Sequence, residues 1–221
     1  MNNVPSCPRC GRAVQPPGLW TSAWQCGAHG PVPPLHSVRP PGTDPLDMLA
    51  ASSHVPLWLP WPLPAGWVVS GFADAGDERS GAVATVVGLS GPAPLGGPGE
   101  LAIVAEDPGI GLGARIAGLD APDPGGVAGS GAADAKIRHQ GHDIALWSVD
   151  AGDSRAVYAG EALASWLWFI FSPADAGVLI CELGTLRDLR DRVEGGVAQD
   201  PPFGATSAFL ASVLAVREEP S

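Results

Sequence analysis

The sequence predicts an α+β fold. A small N-terminal module, too short for an apolar core of its own, precedes a mainly antiparallel β-sheet domain with a few short helices. Three observations predict it. Two cysteine-bearing knuckles lie close together near the N-terminus, Cys7-Pro-Arg-Cys10-Gly and Cys26-Gly-Ala-His29-Gly. From residue 67 onward, short apolar runs alternate with turn-forming stretches. Glycine (30) and proline (24) fill nearly a quarter of the 221 residues, which favours turns and short strands over long helices.

Residues 1–36 read as a zinc ribbon. A Cys-x-x-Cys turn sets two sulfurs one metal ion apart, and a glycine after each second ligand lets the backbone bend so that amides point at the thiolates. Fifteen residues separate Cys10 from Cys26, which is ribbon spacing. Three cysteines and one histidine make a closed, four-coordinate structural set. Cys7, Cys10, Cys26 and His29 are therefore expected to hold one structural Zn2+. Leu19, Trp20 and Trp24 lie between the knuckles and are expected to cover the site.

Residues 37–66 read as a Pro/Trp-rich linker and strap. A short helix is expected from Asp44 to Ser52, with Asp44 as cap and Pro45 at the first helical position. Val55 to Trp67 carries prolines too closely spaced for a helix or a central strand. It is expected to lie across the main domain with Trp58, Trp61 and Trp67 buried, because tryptophan and leucine are costly to leave in water.

Residues 67–221 read as the antiparallel α+β domain. Strands are expected at Val68–Ala73, Ala82–Leu89 and Leu101–Ala105, with a charged turn from Asp74 to Gly81. Residues 108–118 open a short helix, and residues 121–134 form a loop. Lys136–Arg138 and Ile144–Val149 suggest a hairpin across Gln140-Gly141. Arg155–Tyr158, Trp166–Phe171 and Val178–Cys181 suggest three more strands. Leu186, Leu189 and Val193 stand at helical spacing within Thr185–Val193, and a last helix is expected over Ala205–Ala215.

The charge is divided. Net charge is −11, yet residues 1–43 contain no Asp or Glu and carry Arg9, Arg12 and Arg39. A ribbon with three arginines keeps nucleic-acid binding open as one reading, although the acidic remainder would repel phosphate. Free thiolates without a disulfide framework suit a reducing compartment, and no signal peptide or membrane span is read, so a cytoplasmic protein is expected. Cys181 reads as a small buried hydrophobe.

No motif names a reaction. Gly109-Ile-Gly-Leu-Gly-Ala-Arg115 follows an apolar strand and offers an alternative site for a small anionic or acyl metabolite, with Arg115 as charge partner. Its spacing does not match a nucleotide fingerprint. Glu100, Glu106 and Glu161 border apolar strands, and a pair of them facing one pocket would make an acid and a base. His139 and His142 flank a turn; His36 and His54 lie in the linker. A non-enzymatic protein-interaction or regulatory role is favoured, with a protein partner expected, a small-molecule ligand possible and nucleic acid the weakest reading.

Ser6-Cys-Pro-Arg-Cys-Gly11, Trp24-Gln-Cys-Gly-Ala-His-Gly30, Pro60-Trp-Pro-Leu-Pro-Ala-Gly-Trp67 and Gly91-Pro-Ala-Pro-Leu-Gly-Gly-Pro-Gly-Glu-Leu101 resemble an uncharacterised family of actinobacterial proteins. Gly111-Leu-Gly-Ala114, Pro122-Asp-Pro124, Gly160-Glu161 and Trp166-Leu-Trp168 fit the same pattern. The resemblance implies a ribbon-headed cytosolic protein carrying a domain of unknown function. It transfers no catalytic residues.

Overall fold

The computed structural model describes residues 4–19, 21–194 and 197–217. Its ribbon pairs β1 (Gln25–Cys26) with β2 (Gly30–Pro31). Next come α1 (Thr43–Ser52) and the short β3 (Trp58–Pro60). The main strands are β4 (Val68–Asp77), β5 (Gly81–Pro92), β6 (Pro98–Glu106), β7 (Ala135–His139), β8 (His142–Val149), β9 (Ala156–Ala162) and β10 (Ser165–Ser172). They form one antiparallel sheet in the order β4-β5-β6-β10-β9-β8-β7. Two local meanders therefore meet along a single ladder, β6 against β10. Between β6 and β7 lie α2 (Leu112–Ala117) and a long loop.

The sheet is covered on both faces, which explains why its central strands are continuously apolar. In β10, Leu167, Phe169 and Phe171 point to one core, while Trp168 and Ile170 point to the other. The first core takes Leu46 and Leu49 of α1, the strap residues Leu57, Trp58 and Leu59, and the 3-10 helix Ala174–Cys181. α2, Leu35 and α3 (Ala208–Val213) close the second. Residues 43–60 are thus part of the body's core rather than a spacer.

The antiparallel α+β expectation holds, with local corrections. The strap is partly strand: β3 pairs with β11 (Leu186–Asp188), a position outside the main sheet where proline costs no ladder bond. Trp58 and Trp67 are buried, and Trp61 is half-buried under the Arg187 guanidinium. Gly42, not Asp44, caps α1; Asp44 stands in the first turn, where its charge suits the helix dipole. The expected helix at Thr185–Val193 is instead β11 followed by a 3-10 turn at Leu189–Asp191. Asp188 fixes this break by accepting from the Leu57 and Arg190 backbone amides. The expected strand Val178–Cys181 is the end of the 3-10 helix that starts after Pro173, and Cys181 is exposed rather than buried. β4 runs on to Asp77, so Asp74 lies within a strand and not in a turn. A last helix forms within the expected range.

The hairpin between β7 and β8 turns at Gln140 and Gly141, both with positive φ (48° and 83°), as a two-residue loop between twisted strands requires. Among the described residues no helix is long and apolar enough to cross a membrane.

Candidate metal centre

The two knuckles converge. The ligand atoms of Cys7, Cys10, Cys26 and His29 all lie within 4.8 Å of one another. Cys10 Sγ and Cys26 Sγ are 3.7 Å apart; His29 Nδ1 stands 3.5 Å from Cys7 Sγ and 3.6 Å from Cys26 Sγ. A tetrahedral ion with metal–sulfur bonds of roughly 2.3 Å sets its sulfurs roughly 3.8 Å apart, so the donor set fits such an ion.

Local backbone geometry builds the first knuckle. The Cys7 amide donates to the Arg12 carbonyl, and Gly11 N–H donates back to the Cys7 carbonyl. Gly11 takes φ 76°, a conformation glycine adopts without strain. Burial pushes the Cys7 thiol up. At Cys10 burial is outweighed by hydrogen bonds from the Arg12 backbone and side chain, which draw the thiol down. Cys7, Val14, Cys26 and Val32 form the buried apolar cluster here, with Trp24 and Cys10 packed against them. Such a core is too small to fold alone. Trp24 covers the site as expected; Leu19 is 98% exposed and does not. Trp20 lies outside the described residues.

The ribbon is anchored to the body by arginines. Arg115 of α2 is buried and donates to the Cys7 carbonyl at 3.1 Å and to the Ala215 carbonyl at 2.9 Å. Burial, then the nearby Arg217, lowers its pKa to about 10, still charged at neutral pH. In return Arg9 reaches the Gly109 and Ile110 carbonyls. Gly11 is required twice over: a Cβ there would stand 2.6 Å from an Arg115 nitrogen.

A profile for DUF6758, a family of unknown function, matches residues 1–210. This chain belongs to DUF6758. No curated protein and no solved structure matches it.

In this DUF6758 chain the Gly109–Arg115 loop is filled by the chain's own groups. The Leu112 and Gly113 amides, which an anion would need, donate to the Glu106 carboxylate at 2.7 and 3.1 Å. The Gly109 amide is taken by Asp123. Arg115 points to the ribbon. The three N-terminal arginines each have a partner within the chain. Arg9 binds carbonyls, Arg12 turns to Cys10, and Arg39 pairs with Asp74.

The three glutamates do not share a pocket. Glu100 accepts from Ser90 and Ser207 at one end of β6, while Glu106 lies at the other. Trp166 stands in register between Glu106 on β6 and Glu161 on β9. Glu161 is exposed, whereas Glu106 is fully buried. Burial raises the Glu106 carboxyl to about 8, against the opposing pull of its two amide donors. The Trp168 indole lies close by, its N–H without a hydrogen bond of normal geometry. His139 binds the Leu186 carbonyl and meets Trp58 edge-on at 4.6 Å, while His142 is exposed.

Sequence reading missed a cleft at the ribbon–body junction. It is lined by Pro17, Trp24, Pro34, His36, Arg39, Asp74 and the Asp77–Arg79 turn. These residues are scattered over four segments, and no spacing links them.

Proposed function

We propose that this chain is a zinc-clasped, non-enzymatic protein-interaction or regulatory protein of the cytoplasm. The observation that carries the reading is the closed donor set locked to the body. Four ligands leave no protein-derived open position, and Arg115 ties the ligand-bearing knuckle to α2. Three thiolates and one imidazole favour zinc over harder cations. Free thiolates of this kind persist in a reducing compartment. The buried charged groups support a scaffold rather than a reaction centre. Glu106 holds α2, Asp188 shapes the β3–β11 pair, and Arg192 joins Asp47 to Asp200.

Native mass spectrometry of protein purified from its own cytoplasm, without added metal, tests the reading. One zinc per chain with a second macromolecule retained in stoichiometric amount is expected. A chain without zinc removes the clasp. A retained small molecule that the protein converts to product overturns the non-enzymatic role.

A further inference from the structure

We propose that Arg115 is the buried counter-charge of the metal–thiolate centre, and that this charge, more than the carbonyl contacts it makes, holds the ion in place. The inference rests on the zinc-clasp reading above. Arg115 is only 6% exposed. Its Nη1 donates to the Cys7 carbonyl and its Nη2 to the Ala215 carbonyl. Its Nε is buried without a hydrogen-bond partner. A Cβ on Gly11 would stand 2.6 to 3.3 Å from three of the guanidinium atoms, so the group is pressed against the backbone that follows Cys10.

A buried guanidinium keeps its proton, so its charge must be answered nearby. Two carbonyl oxygens accept hydrogen bonds but carry no net charge, and a neutral amide would serve them at a lower desolvation cost. No acid is at hand. Residues 5–14, 112–117 and 208–217, the segments the group touches, contain no Asp or Glu. Among the described residues no carboxylate pairs with Arg115. A second cation, Arg217, stands close enough to repel it. The negative charge that reaches it is that of Cys7 and Cys10. Three thiolates and one neutral imidazole around a divalent ion leave one net negative charge, which one buried cation cancels.

Arg12 also turns to Cys10, but it is only half-buried, and water screens it more than Arg115. The residue that ties the ribbon to the body thus also sets how tightly the ion is held.

The test uses the full chain loaded with Zn2+ or Co2+, with affinity read by competition against a chromophoric chelator. Arg115→Gln keeps an amide donor and loses the charge; it is expected to weaken Zn2+ by about tenfold to a hundredfold. Arg115→Lys keeps the charge without the fork and is expected to recover most of that loss. In the Co2+ form a nearby cation stabilises the sulfur lone pairs. Its removal in Arg115→Gln is expected to move the thiolate-to-cobalt charge-transfer band to lower energy, while the d–d bands, which report tetrahedral geometry, stay in place. Arg115→Lys as weak as Arg115→Gln, or an unmoved charge-transfer band in Arg115→Gln, overturns the assignment. Arg115→Met, which fills the site without a buried polar group, repeats the measurement where Arg115→Gln fails to fold. In the unmutated Co2+ chain, the paramagnetic shift of the Arg115 Nε–H must place the guanidinium against the ion, and a group turned to solvent overturns the assignment with no variant at all. A chain that takes up neither ion sinks the clasp and this inference together. Metal held equally by the unmutated chain and all three variants sinks the counter-charge and leaves the clasp standing.

Discussion

The ribbon and the sheet body reach their shapes by different physics. In the body, both faces of β10 are packed: Leu167, Phe169 and Phe171 on one side, Trp168 and Ile170 on the other. Burial of that kind stabilises by about 25 cal/mol per Å² of apolar surface and needs no cofactor. The ribbon has Val14 and Val32 beside two of its own ligands. Its four converged donors could bind a metal at one end, and carbonyl–guanidinium contacts tie it to the body at the other. One chain thus contains a self-sufficient region and a dependent one.

The largest effect that separates them is metal removal. Binding to a structural zinc site is worth about 10–16 kcal/mol in small modules, and that energy is folding energy. Chelation, or Cys26→Ser, is expected to erase hydrogen-exchange protection over residues 5–35 while the β-sheet circular dichroism persists. Simultaneous loss of both signals would show that the two regions are not separable.

Next in size is the pH response of Glu106. Its folded pKa lies near 8, above the ordinary 4.5, because the carboxyl is buried. The folded state therefore holds its proton more tightly than the unfolded chain does. Stability is full below about pH 4.5, declines as pH rises between the two values, and levels off above 8. The change is on the order of 5 kcal/mol at most. Urea midpoints measured across that window should fall with pH for the natural chain and stay flat for Glu106→Gln. A flat profile in the natural chain would mean that the two amide donors fully offset burial.

Phe169→Ala attacks the body directly. An expected loss of about 3–5 kcal/mol should appear as a lower urea midpoint, with zinc content of the folded protein unchanged. The smallest effect sharpens the junction. Arg115→Gln removes two carbonyl partners and should cost about 2 kcal/mol. Exchange should quicken around Cys7 and Gly11 more than in β6 or β10. Uniform quickening would place Arg115 in the general core instead.

The two regions also differed in what their residues disclosed. Knuckle spacing is local, so the convergence of Cys7, Cys10, Cys26 and His29 was legible from the sequence. Apolar runs marked β5, β6 and β10, and Gln140-Gly141 marked the hairpin. Polarity misled elsewhere. Asp74 looks like turn chemistry but lies in β4, where Arg39 from the linker pairs with it. Leu186 and Leu189 have helical spacing, yet both enter the first core from a strand and a 3-10 turn. Asp188 caps the turn through the nearby Arg190 amide, but its second amide donor, Leu57, lies over a hundred positions earlier. Glu106 was suspected as a base because it ends a strand; its partners, six and seven residues on, make it an anchor for α2. The cleft had no linear signal at all.

One consequence follows from the way the sheet is threaded. β4, β5 and β6 are joined by short connections, as are β7, β8, β9 and β10, and the halves share one long ladder with Trp166–Ser172 facing Glu100–Glu106. Each half can zip from its own turns, but the central rung must wait until strands some sixty positions apart in the chain find each other. That ladder also sets α2, and with it Arg115, beneath the Cys7 knuckle. Because α2 packs on both strands of that ladder, the anchoring of the knuckle through Arg115 depends on the same seam.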